Sequence, residues 1–130
     1  MDIVKNLFSE AYKTSLNAYA PYSNFKVGAS TLLKDGTIVV GTNIENASYG
    51  LSMCAERACL YNVYSKGYRK NDIISFCVAA KKIVTPCGAC RQVMIELMNP
   101  DTLVVLTDAL GHSKEYQVKD LLPDSFKMEV

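Results

Sequence analysis

The chain has 130 residues, 49% of them apolar and 21% charged, with a net charge of +1. That length and balance suit one domain, residues 1–130, with a real hydrophobic core. Near-neutral charge without a basic stripe argues against a polyanionic partner, so no nucleic acid is expected, and a small, weakly charged ligand is.

The first residues mix charge into a helical pattern rather than forming a signal peptide, and no apolar run approaches the ~20 residues of a membrane span. No membrane association is expected, and the cytoplasm is the expected location. Val4, Leu7, Phe8, Ala11 and Tyr12 recur at helical spacing, which predicts an amphipathic helix over residues 2–19. Pro21 disfavours helical geometry at Ala20 and should end it. Residues 24–33 and 37–44 read as strands rich in β-branched residues, joined through the turn chemistry of Lys34-Asp35-Gly36.

Residues 53–65 form a second predicted helix, closed by Gly67. Ile73–Ala80 is a continuous apolar run of strand length, expected to be buried on both faces. A third helix is predicted over residues 88–98, with Pro86 ahead of it and Asn99-Pro100 behind. Strands at 102–107 and 115–117 and a short helix at 118–122 complete the chain. The fold class is therefore α/β, a mixed sheet with helices on its faces. The crossover from 73–80 through a helix to 102–107 supplies a parallel pair.

Five cysteines, Cys54, Cys59, Cys77, Cys87 and Cys90, are the first clue to the chemistry. Without a secretory signal, such a set points to metal or catalysis rather than to disulfides. Cys54 opens Cys54-Ala55-Glu56-Arg57, and Cys87 and Cys90 frame Pro86-Cys87-Gly88-Ala89-Cys90-Arg91; each segment falls at a predicted helix N-terminus. Cys87 and Cys90, three apart, share a helix face, and the positive helix end favours the thiolate form that binds metal.

Three thiolates from Cys54, Cys87 and Cys90 leave a tetrahedral zinc ion one open position, the arrangement of catalytic rather than structural sites. Glu56, two residues from a ligand, is the candidate proton carrier. A cation should offset the excess charge of three sulfurs. Arg57 and Arg91 both adjoin a ligand, and Arg57 is the preferred candidate. A ligand-x-Glu followed by Pro-Cys-x-x-Cys is the signature of zinc-dependent deaminases.

Four stretches in order now resemble the small cytidine deaminases of nucleoside salvage: residues 20–29 (Ala-Pro-Tyr-Ser-Asn-Phe-Lys-Val-Gly-Ala), 41–50 (Gly-Thr-Asn-Ile-Glu-Asn-Ala-Ser-Tyr-Gly), 54–57 and 85–92. A weaker match covers residues 121–126. The resemblance implies a three-layer cytidine-deaminase-like fold on a five-stranded sheet, one zinc ion per subunit and a nucleoside substrate. It also implies a homotetramer whose active sites are shared between subunits. Asn43 and Glu45 would bind the sugar hydroxyls and Phe25 would pack on the pyrimidine. Ala47 and Tyr49 would fall in the substrate-binding segment, and Phe126 would reach a neighbouring subunit's substrate. Asn43 and Glu45, two apart on a strand, project to one face. A carboxylate there suits hydroxyls and repels phosphate, and no Gly-rich phosphate cradle is present.

Plainer readings stand beside these. Glu56 alone is an ordinary first-turn acid, and Phe25 and Tyr49 are ordinary core or interface aromatics. Cys59 and Cys77 lie in apolar contexts and read as core. A redox Cys-x-x-Cys protein would leave Cys54 and Glu56 unexplained. A closed structural zinc site would need a fourth ligand, for which Cys59 is poorly spaced. A deaminase of a related cytosine compound, such as blasticidin S, is the alternative within the same chemistry.

Overall fold

The computed structural model describes residues 3–128 of the chain. Helix α1 spans Ile3–Ser15, four residues shorter at its end than the apolar spacing predicts. Beyond Ser15 the amides of Leu16, Asn17 and Ala18 bond to carbonyls three residues back, tightening the last turn. Tyr19 is then recruited to the sheet as a parallel bridge with Ile44. Its amide donates to Asn43 O at 3.1 Å and its carbonyl accepts from the Glu45 amide at 2.8 Å. Long-range pairing, rather than Pro21, ends the helix. The predicted residue 2 lies outside the described residues.

Strand β1 (Val27–Leu33) starts later than predicted, because Asn24 adopts a left-handed φ of 56° that interrupts extended backbone. Strand β2 (Ile38–Thr42) follows the expected turn, and helix α2 (Ala55–Ser65) opens after Cys54. Met53, predicted as helical, instead exchanges two 2.9 Å backbone hydrogen bonds with Ile44. Gly67, past the end of α2, has a positive φ of 94°. Strand β3 (Ile73–Ala80) matches its predicted bounds and is buried apart from Ile74. Helix α3 (Gly88–Leu97), strands β4 (Leu103–Thr107) and β5 (Ser113–Gln117) and helix α4 (Val118–Leu121) complete the order.

The five strands form one sheet in the order β2-β1-β3-β4-β5. The β3–β4 pair is parallel and the other three are antiparallel. The mixed sheet and its crossover through α3 are those expected from the sequence. One face carries α1, where Leu7 and Ala11 meet Leu32, Cys77 and Ala79. The other carries α2 and α3, with Leu60, Val63 and Met94 against Phe76, Val78 and Leu106. The result is three layers around a central sheet.

Two glycines set how closely the helices approach. A Cβ on Gly28 would lie 2.0 Å from Ala11 O, and one on Gly41 would lie 2.4 Å from Cys59 N. Backbone of α1 therefore rests on β1, and backbone of α2 rests on β2, with no room for a side chain between. The seating of α2 matters most, because that helix begins at Cys54.

Candidate active site

Helices α2 and α3 point their N-termini at one spot. Cys54 is the N-cap of α2 and Cys87 the N-cap of α3, with Cys90 in the first turn of α3. Side chains lean toward a helix N-terminus, so all three thiols converge beyond the helix ends. The three Sγ atoms lie within 4.8 Å of one another, and Cys54 Sγ and Cys87 Sγ are 3.8 Å apart. Sulfurs held tetrahedrally at ~2.3 Å from a zinc ion are separated by roughly 3.8 Å, so the donor set fits that ion. Among the described residues no fourth His, Cys, Asp or Glu joins the group. Three donors leave one coordination position open.

Negative charge is favoured at Cys54. The Cys90 thiol, donating to Cys54, and the Arg57 guanidinium beside it hold Cys54 well below the ordinary thiol range, against the effect of burial. Cys90 is pushed up by the same contact and by burial. Arg57 Nη2 lies 3.6 Å from Cys54 Sγ, and its buried Nε–H has no protein partner. Arg91 is committed elsewhere: its Nε donates to Pro86 O at 2.7 Å and its Nη1 to Leu121 O at 2.8 Å. Of the two cations adjoining a ligand in sequence, Arg57 faces the sulfurs and Arg91 ties the loop before α3 to α4.

Glu56 is 5% exposed. Burial pushes its carboxyl up to about 7, with the charge on Cys54 adding to the rise. A buried acid balanced near neutrality is the state a proton carrier requires. The other two cysteines are inert by comparison. Cys59 is enclosed between Thr31 Oγ1 at 3.1 Å and Val39 O at 3.3 Å, and burial pushes its thiol up to about 12. Cys77 packs under α1, and burial likewise pushes it up to about 12.

Of the residues expected to meet the substrate, Phe25, Asn43 and Glu45 are tied together by hydrogen bonds, whereas Ala47, Tyr49 and Phe126 lie exposed. Asn43 Oδ1 accepts from the Val27 amide and its Nδ2 donates to Phe25 O, both at 2.9 Å. Glu45 Oε1 accepts from the Tyr22 and Ser23 amides at 3.0 and 3.1 Å, while its Oε2 accepts from Ser23 Oγ. Asn43 and Glu45 thus both reach the 22–27 segment, although β2 ends at Thr42 and neither lies on the strand that the sequence predicts to carry Asn43. Phe25 is half-buried, with Lys82 Nζ 6.0 Å from its ring centre. Ala47 sits exposed in an Asx turn, where Asn46 Oδ1 accepts from the Ser48 amide. Tyr49, 80% exposed, opens a short 3-10 turn over Tyr49–Leu51. Phe126 is 69% exposed, and its carbonyl accepts from Gln92 Nε2 at 3.4 Å. Tyr22, Ser23, Glu45, Asn46, Tyr49 and Ser52 line a cavity of about 370 Å³ that reaches Ser52, two residues before Cys54.

A family model described as the cytidine and deoxycytidylate deaminase zinc-binding region matches residues 1–107. The chain belongs to the cytidine deaminase family. The cytidine deaminase of Halalkalibacterium halodurans is 50% identical over 125 residues, covering 95% of this chain and 93% of that protein. That of Sporosarcina psychrophila is 43% identical over 129 residues, covering 99% and 94%. The crystal structure of cytidine deaminase from Burkholderia pseudomallei superposes with a TM-score of 0.90 at 47% identity, covering 94% of this chain and 98% of that one.

Within this cytidine deaminase site, sequence reasoning overlooked the part played by Tyr22 and Ser23. Both stand in a stretch that carries the resemblance, yet neither drew a role of its own. The available signal was Glu45 itself: a carboxylate two residues after Asn43 needs donors, and the Pro21-Tyr22-Ser23 turn has free amides to give. Arg57→Gln removes the cation beside the sulfurs and should lower zinc affinity roughly 10–100-fold, as loss of a partner to a metal ligand typically does. Competition with a zinc-binding dye measures it. An unchanged affinity would leave Arg57 with a packing role.

Proposed function

We propose that this chain is a zinc-dependent cytidine deaminase, converting cytidine or 2′-deoxycytidine and water to uridine or 2′-deoxyuridine and ammonia in pyrimidine salvage. The observation that carries this reading is the buried Glu56 carboxyl two residues from Cys54, next to three convergent sulfurs. Cys54, Cys87 and Cys90 hold one zinc ion per subunit. Bound there, zinc supplies Lewis-acid chemistry that brings the acidity of water toward neutral pH. Glu56 takes a proton from the attacking water and gives it to N3 of the pyrimidine. It then passes the water's second proton to the amine leaving C4. Arg57 balances the negative charge of the sulfur set.

Phe25 packs on the pyrimidine, and Asn43 and Glu45 bind the sugar hydroxyls. Ala47 and Tyr49 belong to the same substrate-binding segment. In this reading the whole of residues 1–130 is a single deaminase domain, and four copies form a homotetramer. Phe126 then reaches the substrate of a neighbouring subunit. Support comes from the large aromatic surfaces that the single chain leaves in water, Tyr49 and Phe126 above all. We place the enzyme in the cytoplasm, whose reducing conditions suit five free cysteines. No helix among the described residues is long and apolar enough to cross a membrane.

The test is direct: follow the ultraviolet absorbance of cytidine and identify the product. Conversion to uridine by zinc-loaded protein supports the reading. A zinc-loaded protein that leaves cytidine untouched rejects the substrate, and blasticidin S would be tried next. Phe126→Ala should raise KM for cytidine roughly tenfold if the ring covers the bound base, as truncating a buried interface aromatic commonly does. Steady-state kinetics with a light-scattering mass check separates that from loss of assembly.

A further inference from the structure

The segment carrying Phe25 and the segment carrying Glu45 are joined by one hydroxyl. Ser23 Oγ accepts from the Phe25 amide at 3.0 Å and donates to Glu45 Oε2. Glu45 Oε1 meanwhile accepts from the Tyr22 and Ser23 amides. The carboxylate is therefore gripped at both oxygens by two consecutive residues, which fixes its plane as well as its position. Behind it, Asn43 holds Phe25 O and the Val27 amide. Between the two grips Asn24 takes a left-handed φ of 56°, a conformation that Asn tolerates better than most residues. Ser23 and Glu45 also line the same cavity.

We propose that Ser23 is a positioning residue for the nucleoside, coupling the pyrimidine-facing Phe25 to the sugar-facing Glu45 through a single hydroxyl. The proposal rests on the nucleoside reading above and adds to it a residue that acts without touching the substrate. The physical logic is preorganisation. A glutamate side chain free to rotate loses entropy when it is immobilised on a ligand, whereas one already clamped does not. Glu45 keeps accepting capacity after its protein contacts, because two carboxylate oxygens offer about four sites and three are occupied here. The hydrogen bond from Ser23 is the main influence holding Glu45 below its ordinary range, so the carboxylate stays charged and ready to accept from a hydroxyl. Partial burial works the other way, raising the carboxyl, but is outweighed.

Ser23→Ala deletes both hydrogen bonds of the hydroxyl, whereas Ser23→Thr keeps them. The experiment measures kcat and KM for cytidine, together with the competitive inhibition constants of uridine and 3′-deoxyuridine, for the wild type and both variants. A wild type that binds uridine about tenfold more tightly than 3′-deoxyuridine reports the grip on the sugar hydroxyl, since a hydrogen bond to a charged group is worth about that factor. Ser23→Ala should lose most of that discrimination and raise KM for cytidine, with kcat changed far less than KM. Ser23→Thr should restore both. A merely structural role for Ser23 would lower stability without moving the ratio of the two inhibition constants.

Either of two Ser23→Ala results overturns the proposal: an enzyme that discriminates as well as wild type, or one that binds uridine more tightly because the serine competes with the sugar for Glu45. A Ser23→Thr variant as impaired as Ser23→Ala would overturn it too. Failure of the underlying reading looks different. There the wild type itself fails to deaminate cytidine, or does so while treating uridine and 3′-deoxyuridine alike.

Discussion

Glu56→Gln should lower kcat by about 10²–10⁴-fold while zinc content and melting temperature stay near wild-type values. That range is what a positioned proton carrier typically contributes, and it corresponds to about 3–5 kcal/mol in the barrier. Two features make the comparison clean. Gln has almost the shape of Glu, so the enclosed site at the start of α2 keeps its packing. Glu56 is also not a member of the sulfur group, so its replacement leaves all three sulfurs in place. An amide accepts through oxygen but cannot pick up and return a proton at neutral pH. The measurement is the cytidine absorbance assay beside elemental analysis for zinc. A variant with full zinc and wild-type rates would take Glu56 out of the proposed chemistry.

The second large effect concerns a residue that no catalytic argument would select. Gly41→Ala should lower the melting temperature by about 10 °C or more and also weaken zinc binding. Gly28→Ala should cost similar stability and leave zinc affinity close to normal. Each new methyl would collide with backbone, with Cys59 N at 2.4 Å for Gly41 and Ala11 O at 2.0 Å for Gly28. Backbone cannot step aside as a flexible side chain does, so the helix itself must move, and overpacking of this kind costs about 1–3 kcal/mol or more. For a chain of this length that converts to several degrees per kcal/mol. The two variants differ in which helix is displaced. Gly41 seats α2, which carries Cys54 at its N-cap and Glu56 in its first turn, whereas Gly28 seats α1, which contributes no donor. Thermal unfolding and zinc competition on the same samples distinguish them. Equal loss of zinc in both would mean that the site responds to global stability alone.

The three-sulfur cluster was legible because its information is local. Cys-Ala-Glu-Arg and Pro-Cys-Gly-Ala-Cys-Arg each announce a helix start, and two helix starts with thiols have few other uses. The strand pattern was legible for the same reason: β3 is apolar along nearly its whole length and matched residue for residue. Two of the misread boundaries lie where distant segments compete with local propensity. Tyr19 leaves a helical pattern to pair with Ile44, and Met53 gives up a helical position to the same residue. Sequence already preferred Arg57, but what separates it from Arg91 is three-dimensional. Both follow a cysteine motif closely, but Arg91 is occupied by two carbonyls, one of them thirty residues away in sequence. The engagement of Glu45 by Tyr22 and Ser23 spans 22–23 residues and has no periodic signature at all.

The pairing of β1 with β3 bears on how this chain folds. Val27 faces Ala80 and Leu33 faces Ile73, so α2 is looped out while the two strands meet. Such non-local pairing must absorb loop-closure entropy before it returns any energy, which slows the search for the native topology. Cys54 lies before β3 and Cys87 after it, so their sulfurs come together only once that strand is seated. If those contacts form after the folding barrier, metal binding across them leaves the folding rate nearly unchanged and slows unfolding instead, giving the protein its longevity in kinetic terms.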